Sequence, residues 1–199
     1  QAIRYIKNNK TINEVIYSGG DPLAASDQKL RWLTQQLSEI PHLERLRVHT
    51  RLPIVIPQRV TPQCLDWLTA TRLKPVMVIH SNHANEIDES VAAALLALQK
   101  KGVLLLNQSV LLKGVNDNIY ALKTLSEKLF SVGVSPYYLH TLDKVDGSAH
   151  FDISETKAID LHRQLMDELP GYLVPKLVKE EANKHSKTLI FDKTLPQKH

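Results

Sequence analysis

Cysteine is nearly absent: the 199-residue chain has one, Cys64. A lone thiol forbids an intrachain disulfide and cannot by itself supply the several thiolates of a zinc or iron–sulfur site. Long hydrophobic runs are missing too, none approaching the roughly 20 residues that span a bilayer. The first ten residues, Gln1 to Lys10, are amphipathic and lack the apolar centre and small-residue cleavage site of a signal peptide. A cytoplasmic location without a membrane partner is therefore expected. Nor is there much excess of one charge: 25 basic against 21 acidic residues leave a net +4. With the basic residues dispersed and no aromatic-interleaved patch, no nucleic-acid role is expected. Neither the glycine spacing of a dinucleotide fold nor a Walker phosphate loop occurs.

What remains is 43% hydrophobic and 23% charged residues, enough apolar material for a sizeable core. The reading is one domain over residues 1–190 and an irregular tail over 191–199. Because the chain opens on glutamine with a helix already under way, it reads as starting inside a longer protein. Oligomeric state is not legible.

Short β-branched or apolar runs recur, each followed by a stretch of helical periodicity. Strands are expected at 14–17, 46–49, 75–80, 103–106 and 134–139, with a weaker sixth run at 172–178, where Pro175 argues against a central strand. Between them, Ser26 caps a helix carrying Leu30, Leu33, Leu37 and Ile40, and Thr61-Pro62 opens another through Ala70, burying Cys64, Leu65 and Leu68. An alanine- and leucine-rich helix ends near Lys100. Later helices carry Leu122, Leu125 and Leu129, and span 154–169. Strand starts roughly 25 to 40 residues apart suit repeated strand–crossover–parallel strand units. The fold class is α/β with parallel strands, either an open sheet or part of a (β/α) barrel.

Polar residues gather at the carboxyl ends of these strands, where both folds place their ligands. They are Ser18-Gly19-Gly20-Asp21, His49-Thr50-Arg51, His80-Ser81-Asn82-His83, Asn107-Gln108-Ser109 and His140-Thr141-Leu142-Asp143. Five such tips predict one shared pocket. Gly19 and Gly20 suit a backbone close to a ligand, or simply a tight turn. Arg51 and Arg59 offer forked contacts to an anion, or a solvated basic loop. His80 and His83 have metal-ligand spacing but lack an obvious third donor, so no protein-only metal site is expected. Asp143 suits a substrate ammonium, or a surface pair with Lys144. The charged run from Lys176 to Lys187 reads as a solvated face in which nothing singles out one lysine.

Four blocks carry a resemblance: Val15-Ile16-Tyr17-Ser18-Gly19-Gly20-Asp21-Pro22-Leu23, Pro57-Gln58-Arg59-Val60-Thr61-Pro62, the run from Asn107 to Asp117, and Gly171-Tyr172-Leu173-Val174-Pro175. Together they resemble the lysine 2,3-aminomutase family of radical S-adenosylmethionine enzymes. Pro136-Tyr137-Tyr138-Leu139-His140 with Leu142-Asp143-Lys144-Val145 is most similar to the bacterial branch that prepares β-lysine for elongation factor P. The resemblance implies a radical SAM-type partial (β/α) barrel. It also implies an isomerase that moves the α-amino group of free L-lysine to the β-carbon, using pyridoxal 5′-phosphate, S-adenosylmethionine and a [4Fe–4S] cluster. By position, Ser18, Gly19, Gly20 and Asp21 resemble the loop beside the methionine end of the sulfonium cofactor. His83 resembles a cofactor-contact histidine, and Asn107 and Gln108 lie in the family's Asn-Gln-Ser block. Asp143 matches the carboxylate receiving the substrate ε-ammonium, Glu180 a second substrate-binding carboxylate, and Lys187 the lysine that takes pyridoxal phosphate.

Two departures stand out. Ala182-Asn183-Lys184-His185-Ser186 replaces the family's glycine-rich run before that lysine. The cluster motif Cys-x-x-x-Cys-x-x-Cys is absent, and the first strand, the cluster loop and the carboxylate-binding arginine would be missing with it. The expectation is thus a parent aminomutase, with these residues alone inactive. Two alternatives stay open: an aminomutase for another amino acid, such as glutamate, and a cluster-free binding domain docking elongation factor P or its lysine-attaching enzyme.

Overall fold

The structure, a computed structural model, describes residues 1–143, 149–181, 184 and 186–191. Lys144, Val145, Asp146, Gly147, Ala182, Asn183, His185 and all of the expected tail beyond Phe191 lie outside the described residues. The chain divides into two compact units: Gln1–His80 with Glu86–Leu106 and Val132–Val134, and Ser81–Asn85 with Asn107–Ser131 and Ser135–His199.

In the first unit, strands β1 (Glu14–Tyr17), β2 (Arg45–Thr50) and β3 (Lys74–His80) pair parallel in chain order, with Tyr17 opposite Val48 and Thr50 opposite Ile79. Alternation along β2 buries Leu46, Val48 and Thr50 and leaves Arg45, Arg47 and His49 half-buried on the other face. Helix α1 (Ala2–Asn8) precedes β1. The crossover β1–α2–β2 runs through α2 (Asp27–Ser38), whose N-cap Ser26 accepts from Lys29 N. Leu30 and Leu37 are buried on α2, Ile40 is buried beyond its end, and Leu33 is only half-buried.

The segment 51–60, expected as loop, holds a short helix α3 (Leu52–Val55) and a 3-10 turn, Pro57–Arg59. Each carries its proline in its first turn, where the missing N–H costs no hydrogen bond. Helix α4 (Pro62–Thr69) is capped by Thr61 and buries Cys64, Trp67 and Leu68, while Leu65 stays half-buried. Helix α5 (Glu89–Lys100) follows β3, with Asp88 accepting from Val91 N at 2.8 Å.

Strand β4 (Leu104–Val110) does not end at Leu106; it continues through Asn107, Gln108 and Ser109, all buried. In the second unit, β5 (Val134–His140) pairs parallel with β6 (Lys176–Lys179), and β6 pairs antiparallel with the two-residue β7 (Thr188–Leu189). Helices α6 (Ile119–Ser131) and α7 (Glu155–Glu168) cover it. Its core joins Leu111, Leu122, Leu139, Leu161, Leu165 and Leu177. Pro175 stands just before β6, and its carbonyl meets His162 Nε2 at 2.9 Å. Among the described residues no helix is long and apolar enough to cross a membrane.

Candidate functional site

In the first unit the loop after β1 turns on two consecutive left-handed residues, Gly19 (φ 79°) and Gly20 (φ 46°). A Cβ on either would meet nothing within 4 Å, so the glycines serve the dihedral rather than a crowded approach. The loop is then closed by Asp21. Its Oδ1 accepts from Leu23 N (3.0 Å) and Thr50 Oγ1 (2.7 Å), and its Oδ2 accepts from Arg51 N (2.7 Å) and Leu52 N (3.2 Å). One carboxylate thus ties the end of β1 to the end of β2 and to the exposed amides that start α3. Arg51 reaches Glu86 at 3.2 Å, and the His49 and His80 rings meet edge to face at 6.3 Å.

Arg59 is committed within the fold. Its guanidinium donates to Leu23 O (2.7 Å), Ala25 O (3.2 Å) and Asp27 Oδ1 (2.7 Å), and Trp67 Nε1 donates to the same carboxylate oxygen at 2.7 Å. This network pins the start of α2 to α4.

In the second unit, the amides at the end of β4 have two different jobs. Asn107, 1% exposed, accepts from Ser81 N (2.9 Å) and donates to Ser81 O (3.0 Å) and Ser109 Oγ (2.8 Å). Asn82 Oδ1 accepts from Val110 N, and Asn116 Nδ2 donates to Asn82 O and Val110 O. Together they lace the segment 81–85 onto β4 and so position His83, whose Nδ1 accepts from Asn85 N at 3.1 Å. Gln108 Nε2 instead meets His140 Nε2 at 3.1 Å.

From His140 a chain of contacts leads to Lys187. The Tyr138 ring meets the His140 ring edge to face at 5.7 Å, and Lys187 Nζ stands over the Tyr138 ring, 5.6 Å from its centre. Nζ also donates to Glu180 Oε1 at 2.5 Å. The ammonium beside Glu180, more than any other influence, holds its carboxyl below the usual range, with His140 adding a smaller push the same way. Tyr138 lies in the block 136–140 that carries the resemblance, but nothing in the sequence gives it a role; its place over Lys187 exists only in space.

Glu180 also lines an open depression of about 880 Å³ with Asp143, Asp152, Glu155, Glu181 and Lys179. Of its five carboxylates, Glu155, Glu180 and Glu181 are paired with Lys179, Lys187 and Lys184, and with Asp143 and Asp152 added the lining suits cations. Lys187 lines a smaller adjoining cleft of about 260 Å³ with Glu180, Glu181, Lys184 and Ser186. Asp143 lines the first of these and Lys187 the second, and Glu180 and Glu181 belong to both. The remaining candidates, Ser18, Gly19, Gly20 and Asp21, lie in the first unit.

Cys64 does not suit an iron–sulfur cluster. It is buried on α4, and burial pushes its thiol up to about 11. Among the described residues no three His, Cys, Asp or Glu side chains are grouped to hold a metal ion.

No protein-family model matches the chain. Among curated proteins, the L-lysine 2,3-aminomutase of Haemophilus influenzae is 55% identical over 191 residues, 96% of this chain and 56% of that protein. The Escherichia coli K12 L-lysine 2,3-aminomutase is 50% identical over 94% of this chain and 55% of its own length. That of Clostridium subterminale is 40% identical over 96% of this chain and 46% of its own. The chain thus spans about half the length of the curated relatives it matches.

Among solved structures, a radical SAM methyltransferase from Sphaerobacter thermophilus superposes with a TM-score of 0.54 at 15% identity, over 84% of this chain and 51% of that one. A domain of pyruvate-formate lyase-activating enzyme from Bacteroides vulgatus gives 0.54 at 16%, over 84% and 98%. The fold is therefore α/β with the topology of a partial radical SAM-type (β/α) barrel. Along nearly its whole length, the chain is strongly similar in sequence to the L-lysine 2,3-aminomutases, of whose length it spans about half.

Proposed function

We propose that this chain is part of an aminomutase that interconverts L-lysine and β-lysine. The observation that carries the reading is a lysine amine, Lys187, set against a carboxylate and an aromatic face beside a carboxylate-lined depression. These residues fit pyridoxal phosphate: Lys187 would hold it, with Tyr138 and the Gln108–His140 pair alongside. When bound, that cofactor supplies an electron-delocalising ring in conjugation with an amino nitrogen.

The chain's own residues then select the substrate. Asp143 and Glu180 receive the far ammonium of lysine, and the surrounding Asp152, Glu155 and Glu181 disfavour an acidic side chain such as that of glutamate. By likeness to the family, the loop Ser18-Gly19-Gly20-Asp21 serves S-adenosylmethionine; taken separately, His83, Asn107 and Gln108 stand at the family's cofactor-contact positions. For the first of these, Asp21 spends its carboxylate on shaping the loop, leaving the loop's backbone to approach the ligand. The residues present, with Cys64 their one cysteine, do not ligate a [4Fe–4S] cluster. The likeness of 136–145 to the β-lysine-making branch supports a product destined for elongation factor P.

The test is turnover. The full-length protein, reconstituted anaerobically with iron and sulfide and supplied with both organic cofactors, makes β-lysine from L-lysine, and D143N raises KM for lysine more than it lowers kcat. Reconstituted protein that makes no β-lysine overturns the reading. The replacement of the family's glycine-rich run by Ala182-Asn183-Lys184-His185-Ser186 favours a second reading, a cluster-free domain that docks elongation factor P. Under it the protein binds that factor in calorimetry and shows no spectral change with pyridoxal phosphate.

A further inference from the structure

The contacts of Lys187 carry a consequence for its chemistry. Its Nζ is 2.5 Å from Glu180 Oε1 and stands over the face of Tyr138, and the side chain is only 26% exposed. Glu180 engages the Nζ amine as a counter-ion and Tyr138 covers it with the face of its ring. An ammonium has no lone pair to give. We propose that Glu180 and Tyr138 hold Lys187 in a closed, unreactive pose, and that Glu180 must leave Nζ before this amine can attack a carbonyl carbon.

The attack itself shows why. The ammonium first gives one proton to a base in the solvent. The neutral nitrogen then adds its lone pair to an aldehyde carbon. The two remaining nitrogen hydrogens depart with the former carbonyl oxygen as water, leaving a carbon–nitrogen double bond; nothing is oxidised or reduced. While Glu180 grips Nζ, the first requirement is unmet.

The other charged groups nearby do not relieve the grip. Glu181 is engaged by Lys184 and by Lys179 (3.7 Å), and Lys179 also pairs with Glu155 at 3.0 Å. His140, next to Tyr138, adds the smallest push to the lowering of Glu180's carboxyl that Lys187 dominates. The clamp stands on this geometry alone. That it gates loading of pyridoxal phosphate rests on the proposed function, under which Glu180 also binds the substrate ammonium. One carboxylate would then serve two cations in turn.

The test is competitive labelling of the full-length protein, free of added cofactor, with a trace of acetic anhydride at pH 8. Each lysine is read by peptide mass spectrometry and compared with exposed Lys29. Acylation needs the same free lone pair and releases acetate and a proton. Lys187 in the wild type is expected to label more slowly than Lys29. E180Q should raise its labelling about threefold or more, the worth of a partly exposed ion pair, and Y138L about twofold. Y138F, which keeps the ring, should label as the wild type does.

Wild-type Lys187 labelling as fast as Lys29, or E180Q leaving it unchanged while Lys29 is unaffected, overturns the clamp. Should E180Q not fold, the wild-type ratio and the contrast between Y138L and Y138F decide the matter. Because the probe is not the cofactor, a clamp that holds in a protein without aminomutase activity would indict the proposed function and not the clamp.

Discussion

Replacing Asp21 with asparagine tests how the first unit builds its loop. The carboxylate accepts four hydrogen bonds, two on each oxygen. Asparagine keeps one acceptor oxygen, which can serve Leu23 N and Thr50 Oγ1. Its amide nitrogen then faces the N–H groups of Arg51 and Leu52, donor against donor. Hydrogen bonds to a charged group contribute about 1.5–3 kcal/mol each, and a half-buried site belongs at the low end. The loss of two is therefore about 3 kcal/mol, and alanine, losing all four, costs somewhat more. For a chain of this size each kcal/mol lowers Tm by about 2–4 °C, so D21N should melt roughly 6–12 °C below the wild type. T50V, which removes one of the four bonds, should cost about 1 kcal/mol. Amide exchange gives a sharper reading, because protection should fall first at Arg51 and Leu52. A D21N protein within about 0.5 kcal/mol of the wild type, with those amides still protected, would refute the role assigned to Asp21.

Other consequences can be measured with the same protein. N107L leaves the buried Ser81 N–H without its acceptor and should cost about 2–4 kcal/mol by denaturant titration, far more than its change in volume explains. D27N weakens the partners of both Arg59 and Trp67 Nε1, so a loss of about 2 kcal/mol should come with a shift in Trp67 emission. Cys64, with its thiol pushed up to about 11, should resist maleimide at pH 8 in the folded protein and react on unfolding. Glu180 has a folded pKa below its unfolded value, so its pairing contributes above the ordinary carboxylate range, about 4.3, and is lost as pH falls through the lowered value. The Tm difference between the wild type and E180Q should accordingly shrink on acidification; a difference that grows in acid would contradict the pairing.

The elements were legible where a local rule decides them. Ser26 and Thr61 with Pro62 announce two helix starts because an N-cap is a contact across only three residues. Strand β4 was cut short because Asn107, Gln108 and Ser109 look like an exit to solvent. Their partners, Ser81 and His140, lie far off in sequence and make the polar run buriable. The turns in 51–60 were hidden by Pro53 and Pro57, which signal a loop and a helix start equally well. Strand β7 is two residues long, below any periodicity. At the site, the motif blocks singled out Asp143, Glu180 and Lys187. The Arg59–Asp27–Trp67 network and the Tyr138 shelf escaped notice because each depends on a long-range contact that leaves no spacing in the chain.

Under the proposed function, Lys187 is the amine that takes pyridoxal phosphate. Full-length protein incubated with the cofactor, reduced with borohydride and mapped by mass spectrometry should carry the reduced adduct on Lys187, and K187A should lose it. Adduct spread over exposed lysines such as Lys29 or Lys176, with Lys187 unmodified, would contradict the account.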